Sequence, residues 1–340
     1  QRQQPKEIFI LNDDIRNQIT YWKNRRNDCA HSKNNIISVS HVESFWSFMR
    51  SNLSKIMVNG SREALLNKIQ KHYDYSLTAP NTDISYIIND VSYAIEESDL
   101  YSFFDEILNL FKELGDFWWD QIDTYTIFWD KLFDLNEEKI TKHLVHFMKA
   151  NEDLVMAYLA QFPHKVNYFA ADTSFIRNLW HSKIFSSSYF YGGHLKLYCA
   201  LLRNKLIEKE QLTEAHIKII DKFNNSIPDN DDFYILQESN FFSIFKDYVF
   251  DTYFLTNFEK ANSLKDIITF YLERFPIDIQ IVKSITSIFS NDNYPWHLKD
   301  SLNTFFYENP EKRDIFILTL KEHELDSPNY LDSIKEKATQ

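Results

Sequence analysis

The sequence predicts an all-α protein. Apolar residues recur at the spacing of one helix face (i, i+3 or i+4, i+7) through most of the 340 residues. Only 4 glycines and 8 prolines are present, fewer than turn-rich β sandwiches and barrels or glycine-looped phosphate-binding folds need. Strand-like runs are short and ambiguous, as in residues 8–11. With 44% hydrophobic and 16% aromatic residues, the chain has ample material for packed interiors and is not a disordered protein.

The first predicted helix spans residues 12–26. One face of it carries apolar residues at i, i+4 and i+7, namely Ile15, Ile19 and Trp22. Arg26 continues the same stripe one turn further along. The polar stretch over residues 27–35 is expected to end or break this helix.

A second helix is predicted to begin at Ser40, because Ser40 and Glu43 have the spacing of a capping box. Its apolar face is expected to comprise Val42, Phe45, Trp46, Met49, Leu53 and Ile56. A third helix is predicted over about residues 62–73, with Leu65, Leu66 and Ile69 as its apolar residues.

From residue 82 onward the pattern predicts long amphipathic helices with short breaks. An aromatic stripe at helical spacing contains Trp118, Ile122, Tyr125, Trp129 and Leu132. Such a stripe could line a ligand groove, but it is more typical of a packed helical core.

A short internal match hints at repetition. Tyr158-Leu159 with Phe162-Pro163 recurs as Tyr271-Leu272 with Phe275-Pro276, each at the end of an apolar helix. The match is consistent with an α-solenoid, and coincidence is the alternative interpretation.

Two polar breaks suggest a division into three domains. Residues 76–81 and residues 227–232 are interpreted as linkers because they combine proline with asparagine, aspartate or serine. The predicted domains are a motif-bearing helical region over residues 1–75, a helical domain over 82–226 and a C-terminal helical domain over 233–340.

The charge is distributed unevenly along the chain. Residues 1–73 hold 12 Lys and Arg against 6 Asp and Glu, a net charge of +6. The remainder holds 25 basic and 43 acidic residues, a net charge of −18. A basic segment joined to an acidic body points to a polyanion partner for the basic part, and an unevenly charged solvated surface is the alternative.

The cysteine content and the hydropathy indicate the cellular compartment in which the chain is expected to act. Two cysteines, Cys29 and Cys199, exclude a disulfide framework and a four-cysteine zinc site. This usage fits a reducing cytoplasm. The sequence shows no apolar run near 18 residues and no basic-then-apolar leader, so neither a membrane span nor a signal peptide is expected.

The segment Arg26-Asn27-Asp28-Cys29-Ala30-His31 carries the clearest chemistry. RNA supplies its own nucleophile, the 2′-hydroxyl, so a protein that cleaves RNA must activate that group and stabilise the phosphorane that forms. A neutral imidazole can take the 2′-hydroxyl proton or protonate the 5′-oxygen. A guanidinium can hold two phosphoryl oxygens. The expected products of such a pair are a 2′,3′-cyclic phosphate and a 5′-hydroxyl.

This segment, read from Trp22 to His31, resembles the signature of the HEPN superfamily. Its members are small helical bundles, and many are metal-independent ribonucleases of toxin, abortive-infection and CRISPR-linked systems. Their motif is an arginine, a polar residue that is often asparagine, a short spacer and a histidine, at the junction of two helices. The resemblance covers residues 8–75 and implies that Arg26, Asn27 and His31 are catalytic. Arg25 also fits the spacing, so which arginine acts stays open.

The resemblance implies an RNA substrate, with tRNA, mRNA and rRNA not distinguished, and neither a cofactor nor a metal. We expect Lys23, Arg25 and Lys33 to bind that RNA. Because one histidine cannot be base and acid in the same step, and family members pair two motifs, a homodimer through the motif region is expected. The acidic helical body would then regulate the site, sense a trigger or bind a protein partner such as an antitoxin.

Other constellations are interpreted as structural. Arg177-Asn178-Leu179-Trp180-His181 begins like the motif but is one residue too short and lies in an aromatic helix. His143 and His146, with Glu138 or His164, lack a third metal ligand at supporting spacing. The paired glycines before His194 indicate a turn and not a phosphate loop.

Two functions from different classes follow from the sequence. The first is a metal-independent endoribonuclease of the toxin or abortive-infection type. The second is a non-catalytic all-α scaffold or regulatory subunit that binds protein.

Overall fold

The computed structural model describes residues 9–11, 13–30, 36–53, 57–58, 61–114, 122–186, 194–222, 227–250, 254–290 and 292–334. These residues form an all-α protein, as predicted, with one ladder of two-residue strands. The chain divides into two compact units, Gln1–Glu152 and Asp153–Gln340.

The elements of the first unit follow one another with short connections. In chain order they are β1 (Phe9–Ile10), α1 (Asp13–Ala30), α2 (Val39–Asn52), β2 (Met57–Val58), α3 (Ser61–Tyr73), α4 (Ser85–Ala94), a 3-10 turn (Glu97–Asp99), α5 (Leu100–Glu113), α6 (Ile122–Asp134) and α7 (Glu138–Ala150).

Helices α1 and α2 share a small apolar cluster. Strand β1 pairs antiparallel with β2, Phe9 opposite Val58 and Ile10 opposite Met57. The cluster consists of buried Leu11, Ile15 and Phe48, with Ile19, Trp22 and Met49 packed against them. The predicted apolar face of α1 is therefore the face that packs.

Helix α1 continues four residues beyond the predicted end at residue 26. Its last turn is formed by residues 27–30. Asn27, Asp28 and Cys29 are half-buried, and tertiary contact of this kind overrides the modest helix propensity of polar residues. The segment contains no proline or glycine to end the helix earlier.

The prediction for α2 is wrong in two respects. The N-cap is Ser38 and not Ser40, and His41 occupies the third helical position that was expected for Glu43. The predicted apolar face is also largely in solvent: Val42, Phe45, Trp46 and Leu53 are exposed, and the side chain of Ile56 lies outside the described residues. Phe48, which the pattern did not place on that face, is the buried residue of α2.

Helices α3 to α7 form the main core of the first unit. Helix α3 packs on α4 and α5, and α7 packs on α5 and α6. Ion pairs fasten α3 to its neighbours, Arg62 to Glu106 at 2.8 Å and Lys68 to Asp90 at 2.7 Å. The third predicted helix is confirmed, with Leu65 and Ile69 buried.

The aromatic stripe of α6 belongs to this core. Tyr125, Trp129 and Leu132 are buried, Tyr125 stacks on Phe111 at 4.5 Å between ring centroids, and Trp129 stacks on Phe147 at 5.6 Å. The predicted packed core is confirmed for these residues, whereas Trp118 and the side chain of Ile122 lie outside the described part of the chain.

The second unit continues the helical succession. Its elements are α8 (Glu152–Gln161), a 3-10 helix (Pro163–Phe169), α9 (Thr173–Asn178), a π-helix (Leu179–Lys183), α10 (Ile184–Ser186), α11 (His194–Arg203), a 3-10 turn (Lys209–Gln211), α12 (Leu212–Asp221), α13 (Asn230–Glu238), α14 (Phe241–Val249), a 3-10 turn (Phe254–Thr256), α15 (Phe258–Ser263), α16 (Lys265–Arg274), α17 (Ile279–Ile288), α18 (Trp296–Glu308) and α19 (Pro310–Glu322).

Helices two apart in sequence pack on each other in this unit. The pairs are α11 with α13, α12 with α14, α16 with α18, and α17 with α19. Buried Asp232 in the first turn of α13 pairs with Lys196 of α11 at 2.8 Å and also with Arg203. A layered arrangement of this kind places helix grooves on the surface of the unit.

The short internal match has the same local structure in both copies. Each tyrosine is buried near a helix end and its carbonyl accepts from the phenylalanine N–H four residues on, at 2.8 Å for Tyr158 and 2.9 Å for Tyr271. The tyrosine and phenylalanine rings contact in both copies, and proline follows. An α-solenoid stays a prediction.

The unit boundary lies between Glu152 and Asp153, where the sequence carried no linker signal. Residues 76–81 connect α3 and α4, which pack together within one unit. Folding of residues 1–75, 82–226 and 233–340 as separate domains therefore stays a prediction. Among the described residues, no helix combines the length and the apolar character needed to cross a membrane.

Candidate functional site at the joint of α1 and α2

Arg25 of α1 and His41 of α2 connect the two helices. The Arg25 Nη2 lies 2.5 Å from the His41 Nε2. On its other side, the ring Nδ1 of His41 lies 2.7 Å from the Ser38 Oγ and 3.1 Å from the Ser38 backbone nitrogen. The imidazole is thus held between the start of its own helix and the end of α1.

The two contacts of the His41 ring make opposite demands on its tautomer. A guanidinium has donors only, so the bond with Arg25 needs an unprotonated Nε2. The Ser38 backbone N–H donates to Nδ1 at 3.1 Å, which needs an unprotonated Nδ1. A neutral imidazole has a single acceptor nitrogen, so the ring makes one of these two bonds at a time, and the Ser38 hydroxyl can donate to Nδ1 or accept from it.

Arg26 has a different environment from Arg25. Arg25 is half-buried, and its Nε is buried without a hydrogen-bond partner among the described residues. Arg26 is exposed, and its Nη1 donates to the Asn27 Oδ1 at 3.0 Å. The guanidinium of Arg26 therefore lies at the surface, with one N–H donating to its neighbour, and among the described residues no other hydrogen bond occupies it.

Some of the other predicted site residues lie in the described part of the chain, and others do not. Lys23 is exposed on α1, two residues before Arg25. His31 and Lys33 lie outside the described residues. The structure thus brings Lys23, Arg25, Arg26 and Asn27 to the last two turns of α1.

Aromatic packing fixes the end of α1 against α2. The Trp22 ring contacts Tyr21 at 5.0 Å and Phe45 at 5.5 Å, both edge-on. Because Trp22 precedes Arg25 by one helical turn, this contact and the link between Arg25 and His41 hold the same stretch of the helix. The carbonyls at a helix C-terminus carry partial negative charge, which the nearby guanidinium groups offset.

Sequence reasoning missed His41. The signal was available, because Ser38 and His41 are spaced as an N-cap and a third helical residue. The spacing of Ser40 and Glu43 obscured it, since glutamate is the usual third residue of a capping box.

The constellations interpreted as structural have ordinary partners. His143 lies 3.5 Å from Glu97, and His146 packs against the Tyr101 ring at 5.6 Å. No group of three or more His, Cys, Asp or Glu residues suited to a metal occurs in the described ranges.

In the second unit, the first and last residues of the segment from Arg177 to His181 both contact one carboxylate. Arg177 and His181 lie 3.3 Å and 3.5 Å from Glu214 of α12. The guanidinium also lies over the ring of buried Trp180, at 5.3 Å. These contacts hold α9 and the π-helix that follows it against α12. The glycines before His194 lie outside the described part.

Comparison with known proteins gives no relatives: no protein-family model, curated protein or solved structure matches this chain.

Proposed function

We propose that the joint of α1 and α2 carries a metal-independent endoribonuclease site of the toxin or abortive-infection type, acting in the cytoplasm. The proposal rests on one observation above others. Two adjacent arginines have opposite environments, Arg25 engaged by His41 at 2.5 Å and Arg26 exposed beside Asn27. An exposed arginine followed by an asparagine near a helix end, with the arginine five residues before His31, is the arrangement that the motif resemblance implies.

This observation favours Arg26 as the arginine that binds phosphate. A bidentate contact between a guanidinium and a phosphoryl group uses two N–H donors that are free to face the ligand. Arg25 has a donor on His41 and is half-buried, so we assign it a positioning role between the helices. Asn27 orients the Arg26 guanidinium through the hydrogen bond of 3.0 Å, and Lys23 adds positive charge for the RNA backbone.

His31 is proposed to transfer the proton. Its neutral ring takes the proton of the 2′-hydroxyl, the 2′-oxygen attacks the phosphorus, and the bond from phosphorus to the 5′-oxygen breaks. The 5′-oxygen takes a proton from a protonated His31 of a second copy of the chain, which gives a 5′-hydroxyl and a 2′,3′-cyclic phosphate. Arg26 offsets the negative charge on the phosphorane.

A second copy of the chain is proposed to complete the site, because one imidazole cannot accept and donate a proton in the same step. The surface of α2 supports this. Val39 and Trp46 are 75% and 58% exposed, and Val42, Phe45 and Leu53 are exposed with them. A contiguous apolar surface on one helix is typical of a protein interface.

The experiment is RNA cleavage by purified protein in excess EDTA, with RNA alone and with extract of phage-infected cells. Wild type is expected to leave cyclic-phosphate ends. Arg26→Ala and His31→Ala should each lower the rate by about 100-fold or more, since each removes a charge or proton donor from the transition state. Arg16→Ala, an exposed arginine earlier on α1, is the matched control and should cleave normally.

A second pair of variants tests which arginine contacts the phosphate. Arg25→Lys should keep most activity, because a lysine can still donate to His41, whereas Arg26→Lys should lose much of it along with the two-donor phosphate contact. Cleavage that survives both Arg26→Ala and His31→Ala, or no cleavage under either condition, would overturn the proposal.

The second candidate is the non-catalytic scaffold, favoured by the same exposed surface of α2. A chain that binds a protein through α2 but cleaves no RNA in either condition would be assigned to this class. RNA cleavage lost on Arg26→Ala would exclude it.

A further inference from the structure

The guanidinium of Arg25 has no counter-ion among the described residues. The side chain is half-buried, and it makes no ion pair with any carboxylate that the structure describes. Its one hydrogen bond is with the His41 Nε2, a nitrogen that carries no negative charge when it accepts. Charged groups that are withdrawn from water are normally paired with an opposite charge. The environment of Arg25 therefore lacks an anion.

The unused donor of Arg25 lies on the edge that binds oxyanions. In a guanidinium, the Nε–H and one N–H of Nη2 are parallel and together take two oxygens of one anion. In Arg25 the Nη2 lies 2.5 Å from His41, whereas the Nε is buried without a hydrogen-bond partner in the described part of the chain. A single ring nitrogen thus occupies half of an edge that two anionic oxygens would fill.

His41 can supply a third donor to the same place. A protonated imidazole donates from both ring nitrogens. The Nδ1–H can then donate to the Ser38 Oγ, which lies 2.7 Å away, and the Nε2–H points toward Arg25. Two cations with donors aimed at each other repel, unless an anion lies between them. Protonation of His41 and binding of an anion are therefore coupled.

The charged groups around the His41 ring also favour an anion. Besides the arginine, the last two turns of α1 bring exposed Lys23 and Arg26 and half-buried Asp28. The first turn of α2 contains no acidic residue, and the acidic residue that follows it on this helix, Glu43, is exposed. The paired strands β1 and β2 carry no charged side chain. The N-terminal end of α2 adds the partial positive charge of its backbone N–H groups.

We propose that Arg25 and His41 bind a phosphate group at the joint of α1 and α2, with uptake of one proton by His41 from solvent. Two phosphate oxygens accept from Nε and Nη2 of Arg25, and a third accepts from the His41 Nε2–H. The Ser38 hydroxyl accepts from Nδ1–H. A tetrahedral anion has this third oxygen, and a carboxylate does not.

This inference goes beyond the proposed RNA cleavage, in which Arg26 and His31 carry the chemistry. In the free protein Arg25 connects the two helices by its bond with His41. In the bound protein the phosphate bridges the same two side chains. Because ion binding is measured without any cleavage, failure of this inference and failure of the proposed function are separate results.

The test is a titration of the full chain with sulfate, a tetrahedral anion that does not itself titrate between pH 6 and 8. Binding is followed by the ring C–H signals of His41 in NMR spectra, which His41→Gln identifies by their loss. Arg25→Lys keeps the positive charge but removes the two-donor edge. Arg26→Lys, at the adjacent exposed position, is the matched control. Circular dichroism melting checks that the variants fold.

Wild type and Arg26→Lys are expected to bind sulfate alike, and Arg25→Lys at least about tenfold more weakly, a loss of about 1.4 kcal/mol. Because one proton is taken up, binding to wild type should strengthen by up to about tenfold for each unit that the pH falls. Acetate should bind more weakly than sulfate. Signals of His41 that do not respond to sulfate, equal binding by Arg25→Lys, or affinity that does not change with pH overturns the proposal.

Competition against sulfate identifies the source of the phosphate group. A 2′-deoxy dinucleotide carries one phosphodiester and lacks the hydroxyl needed for cleavage. Displacement of sulfate by this dinucleotide assigns the site to a nucleic-acid backbone, and displacement by inorganic phosphate alone assigns it to free phosphate. Displacement by neither contradicts a phosphate site.

Discussion

Two histidines show how partner atoms decide what an imidazole does. His41 is half-buried, and its Nε2 lies 2.5 Å from a guanidinium that can only donate. His216 is completely buried in the second unit. Its Nδ1 lies 2.7 Å from the Tyr198 hydroxyl, and its Nε2 lies 2.9 Å from the Ser239 carbonyl oxygen. A carbonyl only accepts, so Nε2 carries the proton and Tyr198 donates to Nδ1.

Burial lowers the pKa of His216, and the hydrogen bond to Ser239 opposes this shift only in part. The folded state therefore binds fewer protons at this site than the unfolded state once the pH falls below about 6.5, the ordinary value for histidine. The free energy of unfolding is at its full value above that pH and falls as the pH drops through the folded-state pKa.

We expect His216→Gln to weaken this acid sensitivity. Glutamine can donate to Ser239 and accept from Tyr198 but does not titrate. The measurement is the urea midpoint at pH 7.5 and at pH 5.5. The variant should lose less stability between the two than wild type does. His297→Gln, at an exposed position on α18, is the control. An identical loss in wild type and His216→Gln would show that other groups cause it.

At the scale of the helix, ends were harder to predict than the helices themselves. Periodicity identified the packing faces of α1 and α3, because Ile15, Leu65 and Ile69 repeat at helical spacing and are buried. The end of α1 was misplaced because residues 27–30 are polar, and polarity alone does not end a helix that is half-buried. Contact with the rest of the unit decides such cases.

The start of α2 supplies a direct comparison of two serines. Ser38 is the N-cap, with its carbonyl accepting from His41 N–H at 3.0 Å, whereas Ser40 lies inside the helix. We expect Ser38→Ala to lower the free energy of unfolding by about 1 kcal/mol. It should also lower RNA cleavage, because His41 loses the Ser38 hydroxyl that lies 2.7 Å from its Nδ1.

Ser40→Ala is the matched control for this comparison. This change removes an exposed hydroxyl contact of 2.8 Å with Ser38, and alanine favours helix interiors, so it should cost less than Ser38→Ala in the same urea titration. A larger loss of stability from Ser40→Ala than from Ser38→Ala would contradict the assigned cap.

The apolar pattern of α2 shows that a sequence predicts an apolar face without predicting what covers it. Val42, Phe45 and Trp46 repeat as a core face would, yet they are exposed. A pattern specifies that a face seeks an apolar partner but not whether the partner lies in the same chain. The motif pointed to Arg26, which is exposed, and to Asn27, which is half-buried, and it missed His41, which contacts Arg25 across the two helices.

At the scale of the whole molecule, the exposed face of α2 and the net charge of −12 act in opposite directions on association. Like charge disfavours close approach of two copies at low salt. Residues 1–73, which contain α2, are themselves net positive, so two copies that meet through α2 bring like charges together. Association through α2 should therefore strengthen as salt screens that repulsion.

We expect the chain to dimerise through α2 and Trp46→Asp to abolish the dimer, because a carboxylate cannot be buried in an apolar interface without a partner. Sedimentation velocity at 150 mM salt measures the oligomeric state. Tyr307→Asp, at a more exposed aromatic position on α18, is the control and should leave the dimer intact. A monomeric wild type, or a dimer that persists in Trp46→Asp, would contradict the interface.

The two-residue ladder has a consequence for synthesis of the chain. Phe9 pairs with Val58, its partner 49 positions later, so an emerging chain holds β1 without its partner until β2 has been translated. Both helices of the joint are made in that interval. The hydrogen bond from Arg25 to His41 can form before then. The ladder of β1 and β2 can form only after Met57 and Val58 have been translated. The order of translation thus delays closure of the ladder until both helices have been made.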